Sequence, residues 1–163
     1  MTVTVGIDPG IDGAIAAVQD GHRLLYLCDM PTTTENRGGK DKRSVNGAAV
    51  AQAFNDIIAL CPGEHISVCI EHVSSSPQMG VTSSFSFGHS FGMVEGVVSA
   101  KRLPLHRVRP ALWKKAMKYT SDKETIRADM IRLFPGAELH LKRHADRAEA
   151  IALALYLYKD QFA

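Results

Sequence analysis

Four carboxylates stand where short elements begin or end. Asp8 follows the alternating run Val3-Thr4-Val5-Gly6-Ile7, and Glu71 follows Ile66-Ser67-Val68-Cys69-Ile70. Period-two alternation predicts half-buried strands. Each acid comes directly after the last apolar residue, on the opposite face. If the two strands lie parallel and adjacent, both acids reach the same end of the sheet, where open α/β sheets bind ligands. Asp146 and Glu149 are three apart, so on a helix they share a face. Converging acids repel one another unless a metal or a proton offsets them. Four hard oxygen donors at an open position suit Mg²⁺, with Mn²⁺ as the substitute. The same residues also admit local readings. Asp8-Pro9-Gly10 is turn chemistry, and Asp146 with Glu149 has capping-box spacing. His72 and His144 lie beside the acids and could orient water.

Basic residues surround these positions. Arg37, Lys40, Lys42 and Arg43 form one segment; Lys101, Arg102, Arg107, Arg109, Lys114, Lys115 and Lys118 form another; Lys142, Arg143 and His144 form a third. The formal net charge is only +2, so the distribution carries the signal. An acidic centre with a basic surround fits a metal-dependent phosphodiesterase, whereas any one of these cations alone reads as solubilising surface charge.

The elements that must position the acids follow from pattern. Ala14–Val18 and Leu24–Cys28 are short apolar runs joined at Asp20-Gly21, a hairpin signal. Residues 30–43 are polar, with Pro31, Gly38 and Gly39, and are expected to form an exposed loop. Val50, Ala53, Phe54, Ile57, Ile58 and Cys61 keep helical spacing up to Pro62-Gly63. Ser74–Ser84 is expected to be a loop, followed by a helix from Phe85 to about Ala100. Gly88, Gly92 and Gly96 recur along that helix, a spacing that suits close approach of another backbone. Leu105–Val108 reads as a strand. Ser121 with Glu124 predicts a capping box for a helix ending near Leu133. The last helix runs from about Ala145 to Lys159, and Leu153 continues the strip of Asp146 and Glu149, so the acids should face protein. The order predicts an α/β fold: a mixed five-stranded sheet with helices on both faces, formed as one domain over 1–163.

Composition narrows the class. Hydrophobic content of 45% and charged content of 22% are ordinary for a globular chain. The longest apolar run, Ala150–Tyr158, falls well short of the roughly 20 residues of a membrane span. The three cysteines, Cys28, Cys61 and Cys69, match no zinc or redox spacing. No secretory signal is evident, and the expected location is cytoplasmic.

Three motifs, Gly6-Ile7-Asp8-Pro9-Gly10, Ile70-Glu71-His72-Val73, and Asp146-Arg147-Ala148-Glu149 leading into Ala150–Ala154, resemble in order and spacing the RuvC family of Holliday-junction resolvases, closest to its phage-encoded or divergent branch. The resemblance runs along nearly the whole chain. It implies a ribonuclease-H-like fold, a homodimer, and Mg²⁺-dependent cutting of two symmetric strands of a four-way DNA junction. By position it makes Asp8, Glu71, Asp146 and Glu149 the catalytic, metal-binding set, although bacterial members usually end in two aspartates. Two metals about 3.5–4 Å apart would activate water, hold the scissile phosphate and offset charge on the leaving oxygen, with Asp8 as the bridging ligand. The family's basic residues near the cleft correspond to the region of Lys114, Lys115, Lys118 and Lys123, and Arg109 joins them as a DNA contact. For the family's junction-opening aromatic the nearest candidates are Phe85 and Phe87, with buried core as the other reading. Phe87, Phe91, Val94 and Val98 form a candidate dimer stripe. A general branched-DNA or RNA nuclease of the same fold, and a junction-binding protein without cleavage, remain the alternatives.

Overall fold

The computed structural model describes residues 1–72 and 80–162. Its main sheet has five strands. β1 (Thr2–Asp8), β2 (Ala14–Gln19) and β3 (Arg23–Asp29) form an antiparallel meander. β6 (His65–Glu71) and β7 (Leu105–Val108) extend it in parallel, in the order β3-β2-β1-β6-β7. The mixed five-stranded sheet expected from sequence is therefore the sheet observed.

Alternation decides what each face meets. Val3, Val5 and Ile7 of β1, with Ile66, Val68 and Ile70 of β6, pack under helices α1 (Gly47–Leu60) and α2 (Val81–Ala100) through Phe54, Ile57, Val94 and Val98. The opposite face presents Ala14, Ala16, Val18 and Cys69 to α5 (Ala145–Phe162), with Trp113 of α3 (Pro110–Ala116) and Ile126 and Met130 of α4 (Lys123–Leu133) closing that layer. Each of the larger aliphatic side chains contributes about 1.5–3 kcal/mol on burial.

Several local expectations need correction. The polar stretch after Met30 is not a loop. It pairs as a separate hairpin, β4 (Thr32–Arg37) and β5 (Lys40–Val45), turning at Gly38 and Gly39, both at positive φ. Threonine-rich β4 and the glycine pair are hairpin chemistry that the charge of the segment disguised. The expected loop Ser74–Ser84 lies outside the described residues as far as 79, whereas Val81–Ser84 already belong to α2. The N-cap of α4 is Asp122, whose carboxylate accepts the Glu124 N–H (3.0 Å), not Ser121. α3 had no sequence expectation. Among the described residues nothing approaches Gly88, Gly92 or Gly96 within 4 Å of where a Cβ would stand. Of the candidate dimer stripe, Val94 and Val98 are fully buried in the core and Phe91 packs against it. Cys61 and Cys69 are buried and Cys28 is half-buried, all three as free thiols. No helix among the described residues is long and apolar enough to cross a membrane.

Candidate active site

Parallel pairing of β1 with β6 puts Ile7 opposite Ile70, so Asp8 and Glu71 emerge side by side at the carboxyl end of the sheet, on the α5 face. Gly6 lets the helix reach them. A Cβ there would lie 2.0 Å from the Ala150 carbonyl oxygen and 2.5 Å from the Ala154 nitrogen. Only glycine admits α5 this close, and the first turn and a half of α5 carries Asp146 and Glu149. The turn after Asp8 is equally tight, since a Cβ at Gly13 would lie 2.1 Å from the Asp8 carbonyl oxygen. That turn is braced by the Gly13 N–H donating to the Gly10 carbonyl (2.9 Å) and the Gly10 N–H donating to Asp8 Oδ1 (3.0 Å).

Asp8, Asp146 and Glu149 each offer one oxygen, all within 4.8 Å of one another. Burial raises the Asp8 carboxyl to about 6. The Gly10 hydrogen bond opposes the rise, and the charges of Glu71, Asp146 and Glu149 add to it. Glu71 is also raised by burial, against a hydrogen bond from Trp113 Nε1 to its Oε1 (2.9 Å), with the Glu149 charge pushing further up. Glu71 stands beside the three-oxygen cluster, its orientation fixed by the fully buried Trp113.

Two lysines answer these acids. Lys114 Nζ lies 2.6 Å from Glu149 Oε1, with side chains 16% and 5% exposed. Lys123 Nζ bridges Asp146 Oδ1 (2.5 Å) and Glu149 Oε2 (2.8 Å). Burial works against the Lys123 charge, but the two carboxylate hydrogen bonds outweigh it and hold its pKa above the usual value. The capping-box reading of Asp146 and Glu149 fails. α5 begins at Ala145, after a 3₁₀ turn over Lys142–His144, so Asp146 lies inside the helix and Glu149 reaches the lysines.

The remaining candidates are dispersed. Lys115, Lys118 and Arg109 are exposed around α3. His144 is buried at the start of α5 and packs edge-on with His140 (5.2 Å). His72 packs edge-on against Phe91 (5.2 Å). Phe85 is 76% exposed, which excludes the core reading for it, and Phe87 is half-buried beside Phe91. Sequence reasoning missed Trp113 and Gly6. Trp113 precedes the Lys114-Lys115 pair in a segment read only for charge, and Gly6 was read as a strand residue.

No protein-family model and no curated protein matches the sequence. Solved structures do match. T. thermophilus RuvC in complex with a Holliday junction substrate aligns at a TM-score of 0.65 with 17% identity, covering 99% of this chain and 97% of that one. A second Thermus thermophilus RuvC structure aligns at 0.58 with 17% identity, covering 97% and 95%. The sheet order, the helices on both faces and this alignment over almost the entire length establish that the chain has the RuvC fold, a ribonuclease-H-like architecture.

Proposed function

We propose that the protein is a divalent-metal-dependent endonuclease that resolves four-way DNA junctions. The observation that carries this reading is the gathering of Asp8, Asp146 and Glu149 oxygens within 4.8 Å, with Glu71 alongside, on a fold shared with a protein solved on a Holliday junction. The donor set fits a hard divalent cation: all carboxylate oxygens, with Asp8 raised to about 6 by burial and by its acidic neighbours. Positive charge already sits among the acids as lysine nitrogens, as an anionic cage requires.

When bound, a divalent ion supplies an activated water and charge compensation for the scissile phosphate. The chain's own groups do the rest. Asp8 and Glu71, fixed at adjacent strand ends, and Asp146 and Glu149, fixed on a helix seated against β1, hold the cage with little freedom. Trp113 orients Glu71. Lys114 and Lys123 bring cationic nitrogens to the place where charge develops on phosphate oxygens, which preorganised donors stabilise most effectively in a site shielded from water. Mg²⁺ is the ion of this reading, with Mn²⁺ as the substitute. The two opposed strands of a junction call for two sites, so the active species is a symmetric homodimer. Arg109, Lys115 and Lys118 contact the DNA backbone outside the acid cluster.

Incubation with synthetic four-way, three-way, flap and linear DNA in Mg²⁺ and in Mn²⁺, with cuts mapped by strand, tests the reading. Paired symmetric nicks confined to the four-way substrate are expected. Equal cutting of flaps points instead to a general branched-DNA nuclease, and tight junction binding with no turnover in either metal overturns catalysis. Sedimentation at micromolar concentration should give a dimer. Lys115→Gln combined with Lys118→Asn (asparagine tolerates the positive φ at 118) should lower the salt slope of binding by roughly 0.9 for each phosphate left without its lysine.

A further inference from the structure

The β4–β5 hairpin stands apart from the main sheet, and register fixes where it stands. Asp8 pairs with Ala14, and Ala14 with Asp29. β3 therefore leaves the sheet at the end where Asp8 stands, and the hairpin begins just beyond it, at Thr32. Its base is tied there. The Met30 N–H donates to the Gly13 carbonyl (2.8 Å) and the Asn46 N–H to the Pro31 carbonyl (2.9 Å). Arg43 reaches Asp12 Oδ1 (2.7 Å) and the Ile11 carbonyl (3.1 Å) in the turn after Asp8. Beyond the base, residues 33–36 and 38–43 are exposed. Among the described residues nothing comes within 4 Å of where a Cβ would stand at Gly38 or Gly39.

The charges of the hairpin sort by face. Register partners share a face, so Glu35, Arg37, Lys40 and Lys42 fall on one, and Asn36, Asp41 and Arg43 on the other. The second face is neutral and settled within the chain: Asp41 accepts from Asn36 (3.0 Å), and Arg43 pairs with Asp12. The first face carries the whole net +2 of residues 32–45. On it Glu35 lies opposite Lys42, but Arg37 lies opposite Lys40, next to the turn. Like charges directly across a ladder destabilise it, and a two-stranded hairpin is marginal to begin with. A pair that weakens its own hairpin, set at an exposed tip, calls for an anion from outside the chain. Six residues per strand at about 3.4 Å each reach roughly 20 Å. That is the length of about six base pairs of duplex.

We propose that the hairpin is an arm-binding ribbon. It lies along one duplex arm of the branched DNA, and Lys40 and Lys42 meet phosphates within about six base pairs of the phosphate at the acid cluster. The ribbon rests on the nuclease reading and adds to it a grip on paired DNA that hydrolysis itself does not need.

The test neutralises one partner of each contact at a time. Four-way junctions carrying a single uncharged methylphosphonate, walked along each arm, are titrated in a chelating buffer, so that no strand is cut. The proteins are the wild type and the double variant Lys40→Thr with Lys42→Thr. Threonine keeps strand propensity, and with the like charge opposite Arg37 removed the melting temperature should hold or rise. The double variant should lower the salt slope of binding by roughly 1.8, about 0.9 for each lysine. In the wild type, a methylphosphonate at one or two positions within about six base pairs of the cut should lower the slope by roughly 0.9. At those positions the variant should show no further fall, whereas at the cut itself both proteins should lose equally. An unchanged slope for the variant, or methylphosphonate losses equal in both proteins at every position, overturns the ribbon. A variant whose sedimentation changes while its slope does not assigns the hairpin to contact between copies of the chain, and overturns it too. In each of these cases wild-type cutting in Mg²⁺ still upholds the nuclease. A wild-type protein that neither binds nor cuts branched DNA overturns both.

Discussion

Replacing Asp8 by Asn removes one negative charge from the acid cluster and keeps an oxygen able to accept the Gly10 N–H, now at 3.0 Å. Folding lifts this carboxyl from 3.8 to about 6, through burial first and through Glu71, Asp146 and Glu149 in addition. At roughly 1.36 kcal/mol per tenfold change in acidity, ionised Asp8 lowers the stability of the metal-free protein by about 3 kcal/mol. The folded-state value lies above the unfolded one, so the folded chain binds the proton more tightly. Stability is therefore lost as pH rises from about 4 through about 6. Asp8→Asn should recover this loss at pH 8, a gain of about 6–12 °C in melting temperature for a chain of this size. The gain should shrink towards zero near pH 4. Thermal melts across that pH range in a chelating buffer measure it, and the same melts in millimolar Mg²⁺ should raise the wild type more than the variant. Junction cleavage should be abolished while binding holds or tightens. A gain that is absent, or equal at every pH, refutes the claim that Asp8 is held ionised against its neighbours.

Glu149→Gln takes the anion from Lys114 and Lys123; it should cost about 1–3 kcal/mol in urea titrations and eliminate turnover, and an active variant of reduced stability would leave Glu149 a purely structural role. Trp113→Phe keeps an aromatic ring but not the N–H that donates to Glu71, so kcat should fall while junction affinity is unchanged; unaltered kcat would dismiss Trp113 as a positioning residue. Gly6→Ala forces a Cβ to within 2.0 Å of the Ala150 carbonyl oxygen, and a loss of more than about 3 kcal/mol is expected. Cooperative melting of that variant at the wild-type temperature would show that α5 can be displaced without penalty.

The main sheet and the four acids were legible because periodicity and strand-end position are properties of short sequence windows. Val3–Asp8 and Ile66–Glu71 each announce a strand and its exit residue without reference to the other. The hairpin β4–β5 was not legible, because its strands are largely polar on both faces and are held by anchors such as Arg43 with Asp12, which come from distant parts of the chain. α3 is a helix of only seven residues, too short for a periodic signal. Trp113 and Gly6 matter through contacts with Glu71 and Ala150, 42 and 144 positions away, and no local pattern encodes such pairs. The resemblance placed Lys114 and Lys123 in the region of the family's DNA contacts, and nothing local in the sequence announced that Lys114 pairs with Glu149 and Lys123 with both Asp146 and Glu149. Helical phase separates Lys114, which faces the acids, from exposed Lys115.

The seating of α5 across β1 and β2 has a consequence for how the molecule is made. The sheet face bearing Ala14, Ala16, Val18 and Cys69 is completed early in synthesis, but the helix that covers it follows every other element of the fold out of the ribosome. Until then the nascent chain displays an uncovered apolar sheet, a surface prone to association with other chains or with chaperones. The same delay keeps the acid cluster incomplete, since Asp146 and Glu149 arrive with that helix. A ribosome-bound chain stalled before Ala145 holds Asp8 and Glu71 without Asp146 and Glu149, so under the proposed nuclease function it is inactive while it is still being made.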